Sequence, residues 1–578
     1  MSTSNPTPDQ TQSPTQSPSL SSGLGQQRLP RRTVVATAAT AAALAPVAGL
    51  GARAAAAPST VAAPTARDRA VFQHGVASGD PLPDAVVLWT RVTPIPEATP
   101  GSEKGPRTKV AWEIATDPAF RHVVRSGRLE TSASRDHTVK VDATGLRPAT
   151  DHWFRFHAAG ATSPIGRTRT APAAGAAPRQ LRFGVVSCSN YPEGYFSAYR
   201  HLAAREDLDA VVHLGDYLYE YENKDTDLRS PAPALEILSL ADYRQRHASY
   251  KQDPDLMALH GRVPFITVWD DHEVANNSWK GGAENHDPAT EGDYGRRMAR
   301  AHRAYDEWMP VRLDGTARLG DGTRLYRTLA YGTLAEFVLM DLRTYRDEQT
   351  SVPVDPAVAS PERSITGATQ MAWLKRRLST SRAQWKLLGN SVMIAPLSLA
   401  AVPRQFVDVL DQLAGPFPAE ATINSDQWDG YTADRRLLFD HIAAESIEGV
   451  VALTGDIHTA WAMDLPVDTG TYPTSGTVGV EFVVPSVTSD NFDDILGVPP
   501  HTVDDVLGEG LLAANRHIKY VNLDDHGYGV LTVTAASTQM DYWMVSDKAD
   551  PEATVAWDAG YVTQAGSGTV AAAAKPVS

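Results

Sequence analysis

A single cysteine, Cys188, is all the thiol this 578-residue chain contains. No internal disulfide can form, so packing, hydrogen bonds and bound ions must hold the fold together. Runs of 18 or more strongly apolar residues are missing, which leaves no segment suited to a transmembrane helix. Basic excess is missing as well: 53 Lys and Arg stand against 68 Asp and Glu, for a formal net charge of −15. Such an acidic chain is a poor match for nucleic acid or anionic membranes, and no nucleic-acid partner is expected. What is present is ordinary for a folded protein, 42% hydrophobic and 8% aromatic. The length exceeds one domain.

Residues 1–27 are rich in Ser, Thr, Pro and Gln, and Arg31-Arg32 then precede an Ala-rich apolar stretch from Val34 to Leu50. Ala55-Ala56-Ala57 before Pro58 offers a small-residue cleavage site, so residues 1–57 read as an export signal. Paired arginines before a weakly apolar stretch resemble the twin-arginine type. The twin-arginine export machinery is then an expected partner, and a secreted or cell-envelope location follows. A disordered basic tail is the alternative. The segment carries Arg28, Arg31, Arg32 and Arg53 against Asp9, so its removal leaves a net charge of −18.

Residues 68–170 hold short strand-like runs separated by turn residues: 85–91, 109–114, 137–141 and 151–157. That spacing suggests a small β-sandwich. Leu146-Arg-Pro148 and Thr168-Arg-Thr170-Ala-Pro172 are similar to a fibronectin type III or immunoglobulin-like module. Residues 171–180 read as an Ala/Pro/Gly-rich linker. From 181 to 545 strands alternate with helical spacing at 193–205, 239–260, 296–308, 369–378 and 432–444, which predicts a layered α/β domain. Residues 402–431 read as a long excursion across the top of the site, and residues 546–578 as a C-terminal tail or edge element. No internal repeat is found.

Five apolar runs in this second part each end in residues of metal-ligand type. Leu181 to Val186 is followed by Cys188 and Asn190, and Ala210 to Leu214 by Asp216 and Tyr219. Phe265 to Trp269 is followed by Asp270, Asp271, His272 and Glu273, Trp385 to Leu388 by Asn390, and Val450 to Thr454 by Asp456 and His458. Near-continuous apolar runs read as strands buried on both faces, and ligands bind beyond the carboxyl ends of such strands. Carboxylates, imidazoles, a thiol, a phenol and an amide together suffice for a polynuclear metal centre.

A strand-end carboxylate such as Asp216 can bridge two cations. The Tyr219 phenolate suits a hard trivalent ion, whose charge would depress its pKa. Four ionisable groups from Asp270 to Glu273 repel one another unless a cation or hydrogen bonds offset them. Asp271 is the expected ligand there, and His272 the group that contacts a phosphate oxygen or protonates a leaving group. The same four residues also fit a helix start capped by Asp271. Asn276 and Asn277 offer neutral oxygens to a calcium-like ion or merely line a polar loop. Asn390 caps a turn or binds metal. Arg343 clamps a phosphate bidentately or pairs with Asp341. His526 lies near the site or in a sheet-edge turn. Cys188 is a ligand or a small buried hydrophobe.

Gly-Asp-x-x-Tyr at 215–219, the following His272-Glu273 and the final Gly455-x-x-His458 resemble the calcineurin-like metallophosphoesterase superfamily, especially purple acid phosphatases. Phe72-Gln-His-Gly-Val-Ala-Ser-Gly-Asp80, Leu88-Trp-Thr-Arg91, Gly215-Asp-Tyr-Leu-Tyr-Glu-Tyr221 and Trp269-Asp-Asp-His-Glu273 resemble the PhoD family of alkaline phosphatases. Asp341-Leu-Arg-Thr-Tyr-Arg346 and Trp428-Asp-Gly-Tyr431 add to the likeness, which runs from about 70 to 545. The resemblance implies a β-sandwich followed by a four-layer α/β sandwich, a centre of Fe3+ with Ca2+, and cleavage of phosphate esters at alkaline pH. Carried over by position, Cys188 stands where the wider superfamily has its first Asp and Asn190 where it has a His. Asp216 becomes the bridging ligand and Tyr219 the iron phenolate. Asp271 replaces an Asn, Asp456 replaces a His, and His458 keeps the last His. Carboxylates in place of an amide and an imidazole harden the second site toward calcium.

Hydrolysis of phosphate monoesters by a metal-activated hydroxide is the leading function. Phosphodiesterase or phospholipase D activity on diesters and phospholipids is the alternative within the same fold. A noncatalytic surface-binding role for the N-terminal sandwich is a third.

Overall fold

The computed structural model describes residues 64–320, 322–350, 356–398 and 425–578. The export-signal reading of residues 1–57, and most of the excursion expected at 402–431, lie outside the described residues.

Apolar and β-branched residues dominate three parallel strands, Gln180–Val186, Ala210–Leu214 and Phe265–Val268, which pair in that order. They sit inside a ten-stranded sheet. Every residue of Ala210–Leu214 is buried, as a strand covered on both faces requires. A seven-stranded sheet has its own parallel core in Ala335–Leu339, Trp385–Gly389, Val450–Thr454 and Thr477–Val483. The two sheets face each other through one apolar core in which Phe183 meets Tyr331 and Phe337 edge-on, at ring-centroid distances of 5.1 and 4.9 Å. Phe183→Ala there would cost about 3–5 kcal/mol, because the contacts are lost and a cavity remains.

Helices Ser197–Ala204, Leu240–Lys251, Pro254–His260 and Tyr294–Trp308 contribute to this same core. Gly367–Thr380, Thr432–Ala444 and Glu509–Ala514 build a second core with residues of the seven-stranded sheet, through Leu374, Leu438, Phe439 and Leu511. The architecture is α/β.

Two expectations change in detail. The single helix read at 239–260 is two helices. Pro254 lacks the N–H that would continue the first, and the Asp253 side chain caps the second by accepting from Asp255 N and Leu256 N at 2.9 and 3.0 Å. The N-terminal strands are also less self-contained than the spacing suggests. Val76–Gly79, Ala85–Arg91 and Thr138–Thr144 extend the ten-stranded sheet, with Gly79 paired in parallel register to Phe265. A Cβ on Gly79 would lie 2.1 Å from the Pro310 carbonyl oxygen, so this join needs glycine. The remaining strands, Thr108–Ala115, Val123–Thr131, Asp151–Ala158, Ala161–Thr162 and Gly166–Arg169, form a separate five-stranded sheet. Val86, Leu88 and Val141 pack with Val110, Ile114, Phe154 and Phe156 in a third core shared by the two sheets. At the C-terminus Val555–Gln564 and Val570–Ala572 are the outermost strands on one side of the ten-stranded sheet, so this segment is an edge element.

Candidate metal centre

The strand ends leave their ladders through backbone conformations that L-residues seldom adopt. Cys188, Asp216, Asp456 and His458 have φ of 57°, 53°, 66° and 61°. Left-handed non-glycine residues carry a conformational cost and persist where surrounding structure enforces them, often at functional sites. The glycine before each of two aspartates permits the approach. A Cβ on Gly215 would lie 2.5 Å from Asp270 Cβ, and one on Gly455 would lie 2.5 Å from Ser187 Cβ. Backbone hydrogen bonds stitch these turns together, from Cys188 N to Gly215 O at 3.2 Å and from Ser189 N to Asp216 O at 3.0 Å.

Three groups of ligand atoms result. Cys188, Asp216 and His458 bring theirs within 4.8 Å of one another, as do Asp216, Asp271 and His272, and likewise Asp270, Asp271 and Asp456. Asp216 belongs to two groups and Asp271 to two, so the three form one continuous cluster. Tyr219 joins the first: its hydroxyl donates to Asp216 Oδ2 at 3.1 Å, accepts from Ser489 Oγ at 2.6 Å and lies 3.4 Å from His458 Nε2. His458 Nδ1 lies 2.7 Å from the Asp490 carbonyl oxygen, which requires the proton on Nδ1 and leaves the Nε2 lone pair facing the cluster. Burial keeps His458 neutral, its pKa lowered to about 4.

Glu273 is the brace on this side. Its carboxylate accepts from the backbone N–H of Asp216, Tyr217 and Asp270 at 3.2, 2.7 and 2.8 Å, which ties two strand ends together. Glu220, fully buried, lies 2.7 Å from His272 Nδ1 and accepts from Asn276 N at 2.7 Å. Burial alone would keep His272 neutral. Glu220, with Asp271 and Asp216 beyond it, outweighs that and raises its pKa well above the usual range.

The donor set fits cations. Asp216 Oδ1 and Asn190 Oδ1 are buried oxygens with no hydrogen-bond partner, an expensive arrangement unless something positive meets them. Asp271 Oδ1, also without a hydrogen bond, has Arg343 Nη2 at 3.6 Å. Burial, then neighbouring carboxylates, push Asp456 far above the ordinary carboxyl range, and burial does the same to Asp216 despite the His272 charge nearby. The Cys188 thiol and the Tyr219 phenol are raised in the same way, by burial and then by Asp216. Cations would reverse each shift and hold these groups ionised.

Two expected site residues are placed differently. Asn390 does not offer a ligand atom: its Oδ1 accepts from Trp428 Nε1 at 3.0 Å, and its Nδ2 donates to Val392 O at 2.6 Å and Thr454 Oγ1 at 2.9 Å. Turning the amide over would set N–H against N–H and oxygen against oxygen. Arg343 is neither an open phosphate clamp nor a side-chain partner of Asp341. It forks onto Asp270 with two bonds of 2.7 Å, and also reaches Asp426 at 2.6 Å and Asp456 at 3.0 Å. With Asp271 Oδ1 at 3.6 Å from Nη2, four carboxylates crowd this corner, and a planar guanidinium answers several at once. Asn276 and Asn277 turn their side-chain amides to Glu284. His526 stands behind the Ser486–Asn491 turn, 2.8 Å from Ser486 Oγ and 2.9 Å from Asp494.

The sequence reading placed Asp270 in the cluster but chose Asp271 as its ligand. The residues it passed over are Glu220 and, as a brace, Glu273, Asp426 and Gln427 beside Arg343 and Asp456, and Ser489 with Asp490. The last pair had a signal: Val478 to Val484 is apolar apart from Gly479 and Glu481, and Ser486 to Asn491, polar apart from Val487, follows it. A cavity of about 770 Å³ beside Trp153, Arg155 and Arg262 holds none of these groups.

Stacked mixed sheets with carboxylates, imidazoles, a thiol and a phenol gathered beyond parallel strand ends define a metal-dependent hydrolase. The chain belongs to the PhoD-like phosphatase family, whose model matches residues 183–542, with the family's N-terminal domain model matching residues 55–172. It is 37% identical over 502 residues to alkaline phosphatase D of Bacillus subtilis strain 168, covering 85% of this chain and 81% of that protein. A solved structure titled "Structure of PhoD" superposes with a TM-score of 0.77 at 34% identity, covering 88% of this chain and 93% of that one.

Proposed function

We propose that the chain is an exported alkaline phosphatase that hydrolyses phosphate monoesters at a centre of Fe3+ and Ca2+. The observation that carries this is the continuous ligand cluster joined through Asp216 and Asp271, in a chain 37% identical to alkaline phosphatase D. Cys188, Tyr219, His458 and Asp216 would hold the ferric ion, since thiolate, phenolate and imidazole suit it. Asp216, Asp271 and Asp456 supply the hard oxygens that calcium prefers. When bound, the cations supply positive charge against the phosphoryl oxygens and acidify the attacking water.

The chain's own groups do the rest. Glu220 holds the His272 proton on Nδ1, so a ring that also carries a proton on Nε2 can give that proton to the departing oxygen. Glu273 keeps the Asp216 and Asp270 turns at fixed separation. Arg343 spaces Asp270, Asp426 and Asp456 by pairing with all three. The twin-arginine reading rests on Arg31-Arg32 and the Ala-rich stretch after them. Helices in the cores of both large sheets support the four-layer reading, and the third core supports an immunoglobulin-like N-terminal module sharing one sheet with its neighbour.

The test is the purified, Fe- and Ca-loaded chain assayed side by side on a phosphate monoester, a diester and phosphatidylcholine at alkaline pH. Monoester turnover that is lost on chelation and restored by calcium is expected. Turnover of phosphatidylcholine alone would replace this reading with the phospholipase one.

A further inference from the structure

Asn390 ends Trp385–Gly389 directly beside Val450–Thr454, the strand whose continuation carries Asp456 and His458. Its amide joins two parts of the chain. On one side Asn390 Nδ2 donates to Thr454 Oγ1 at 2.9 Å, and Thr454 Oγ1 donates to Glu481 Oε1 at 2.6 Å. Glu481 in turn accepts from the backbone N–H of Ile394 and Ala395 at 2.9 and 2.7 Å, fixing the turn that follows Asn390. On the other side Trp428 Nε1 donates to Asn390 Oδ1 at 3.0 Å. Trp428, Asn390, Thr454 and Glu481 have no exposed surface, so none of these bonds competes with bulk water.

The two residues before Trp428 enter the metal centre. Gln427 Nε2 donates to Asp456 Oδ2, and Asp426 accepts from both Arg343 and Arg346. Asp426–Trp428 belongs to no strand and is held by Trp428 N donating to Met393 O at 3.3 Å, by Gly430 N donating to Gln427 O at 2.9 Å, and by the side-chain bonds of Asp426, Gln427 and Trp428. The buried bond from Trp428 to Asn390 is the nearest of these to the sheet.

We infer that Asn390 and Trp428 are positioning residues, a buried pin that holds Gln427 against Asp456 and so fixes the orientation of that carboxylate, while Asn390 itself ligates no cation. The inference rests on the phosphatase reading for its kinetic consequences and on the geometry alone for metal content.

The experiment uses the metal-loaded full enzyme and p-nitrophenyl phosphate as probe. Trp428→Phe keeps an aromatic ring, smaller than the indole, and removes the N–H; Asn390→Ala removes both sides of the pin. Each should lower kcat/KM about 10-fold, the usual size for loss of a residue that orients a ligand. Iron and calcium per chain, by elemental analysis, should stay at the wild-type value. Gln427→Ala should lose about as much, and Trp428→Phe with Gln427→Ala should be no worse than the weaker single variant, because both act through one contact. Loss of one cation equivalent in Asn390→Ala, with Trp428→Phe silent, would make Asn390 a ligand and overturn the inference. Multiplying losses in the double variant would overturn the route through Gln427. If Asn390→Ala fails to fold, Trp428→Phe and its cycle with Gln427→Ala decide. A wild-type enzyme inactive on the probe would refute the phosphatase reading, and the metal contents would still decide between pin and ligand.

Discussion

On the ten-stranded sheet three neighbouring parallel strands each deliver cluster residues: Cys188 after Gln180–Val186, Asp216 after Ala210–Leu214, and Asp270 to His272 after Phe265–Val268. On the seven-stranded sheet, among the described residues, only Val450–Thr454 does so, through Asp456 and His458. Trp385–Gly389 beside it and Ala335–Leu339 one strand further out lead instead to Asn390 and Arg343, which hold other residues in place. The means of support differ as well. Glu273 braces the first side through three backbone N–H groups, whereas Arg343, Gln427 and Trp428 support the second through side chains. Backbone support tolerates substitution of its neighbours. Side-chain support is lost one residue at a time, so the second side should respond to mutation in graded steps.

The largest effect should come from Asp216→Ala on the first side. Two of the three ligand groups share this carboxylate, so activity should fall to background and bound metal should fall with it. Full metal content by elemental analysis would remove Asp216 from the bridging position. On the second side, Arg343→Gln strips a buried guanidinium from Asp270, Asp426 and Asp456. Breaking buried pairs of this kind costs about 3–5 kcal/mol. A lower urea midpoint is expected, with phosphate inhibition weakened no more than the folding loss explains. Normal stability with strongly weakened phosphate binding would restore Arg343 as a clamp.

A smaller, pH-dependent effect belongs to Glu481, which burial raises to a pKa of about 7 from an unfolded value of 4.5. Its protonated form is favoured on folding, so its contribution is complete below pH 4.5 and is lost as pH rises through 7. Relative to Glu481→Gln, the wild type should lose on the order of 3 kcal/mol between those limits. Urea midpoints of both proteins at pH 5 and pH 8 measure this, and a constant difference would refute it. The smallest effect should be Asn276→Ala, whose amide reaches Glu284 near the surface of the first side. A change within about 0.5 kcal/mol and unaltered calcium content are expected. Loss of a calcium equivalent would move Asn276 into the centre.

The comparison also marks where sequence reading works. Apolar runs ending in Asp, His, Cys or Tyr located Cys188, Asp216, Asp271, Asp456 and His458 without any structure, because strand burial and strand termination are written locally along the chain. The same rule drew in Asn390, since one strand end looks like another in sequence. It gave no hint that Trp428, 38 positions away, occupies the Asn390 oxygen, or that Asp270, 73 positions away, occupies Arg343. Nor did the spacing of the N-terminal strands show that three of them would complete the neighbouring sheet, which depends on a register between Gly79 and Phe265.

By itself the sequence determined the α/β alternation, the strand ends and the chemical types gathered there, because periodicity and composition act over a few residues. Only the tertiary structure decided which of those side chains keep a lone pair for a cation and which are consumed in support. A donor's availability depends on the neighbours that packing brings to it, and those come from distant parts of the chain.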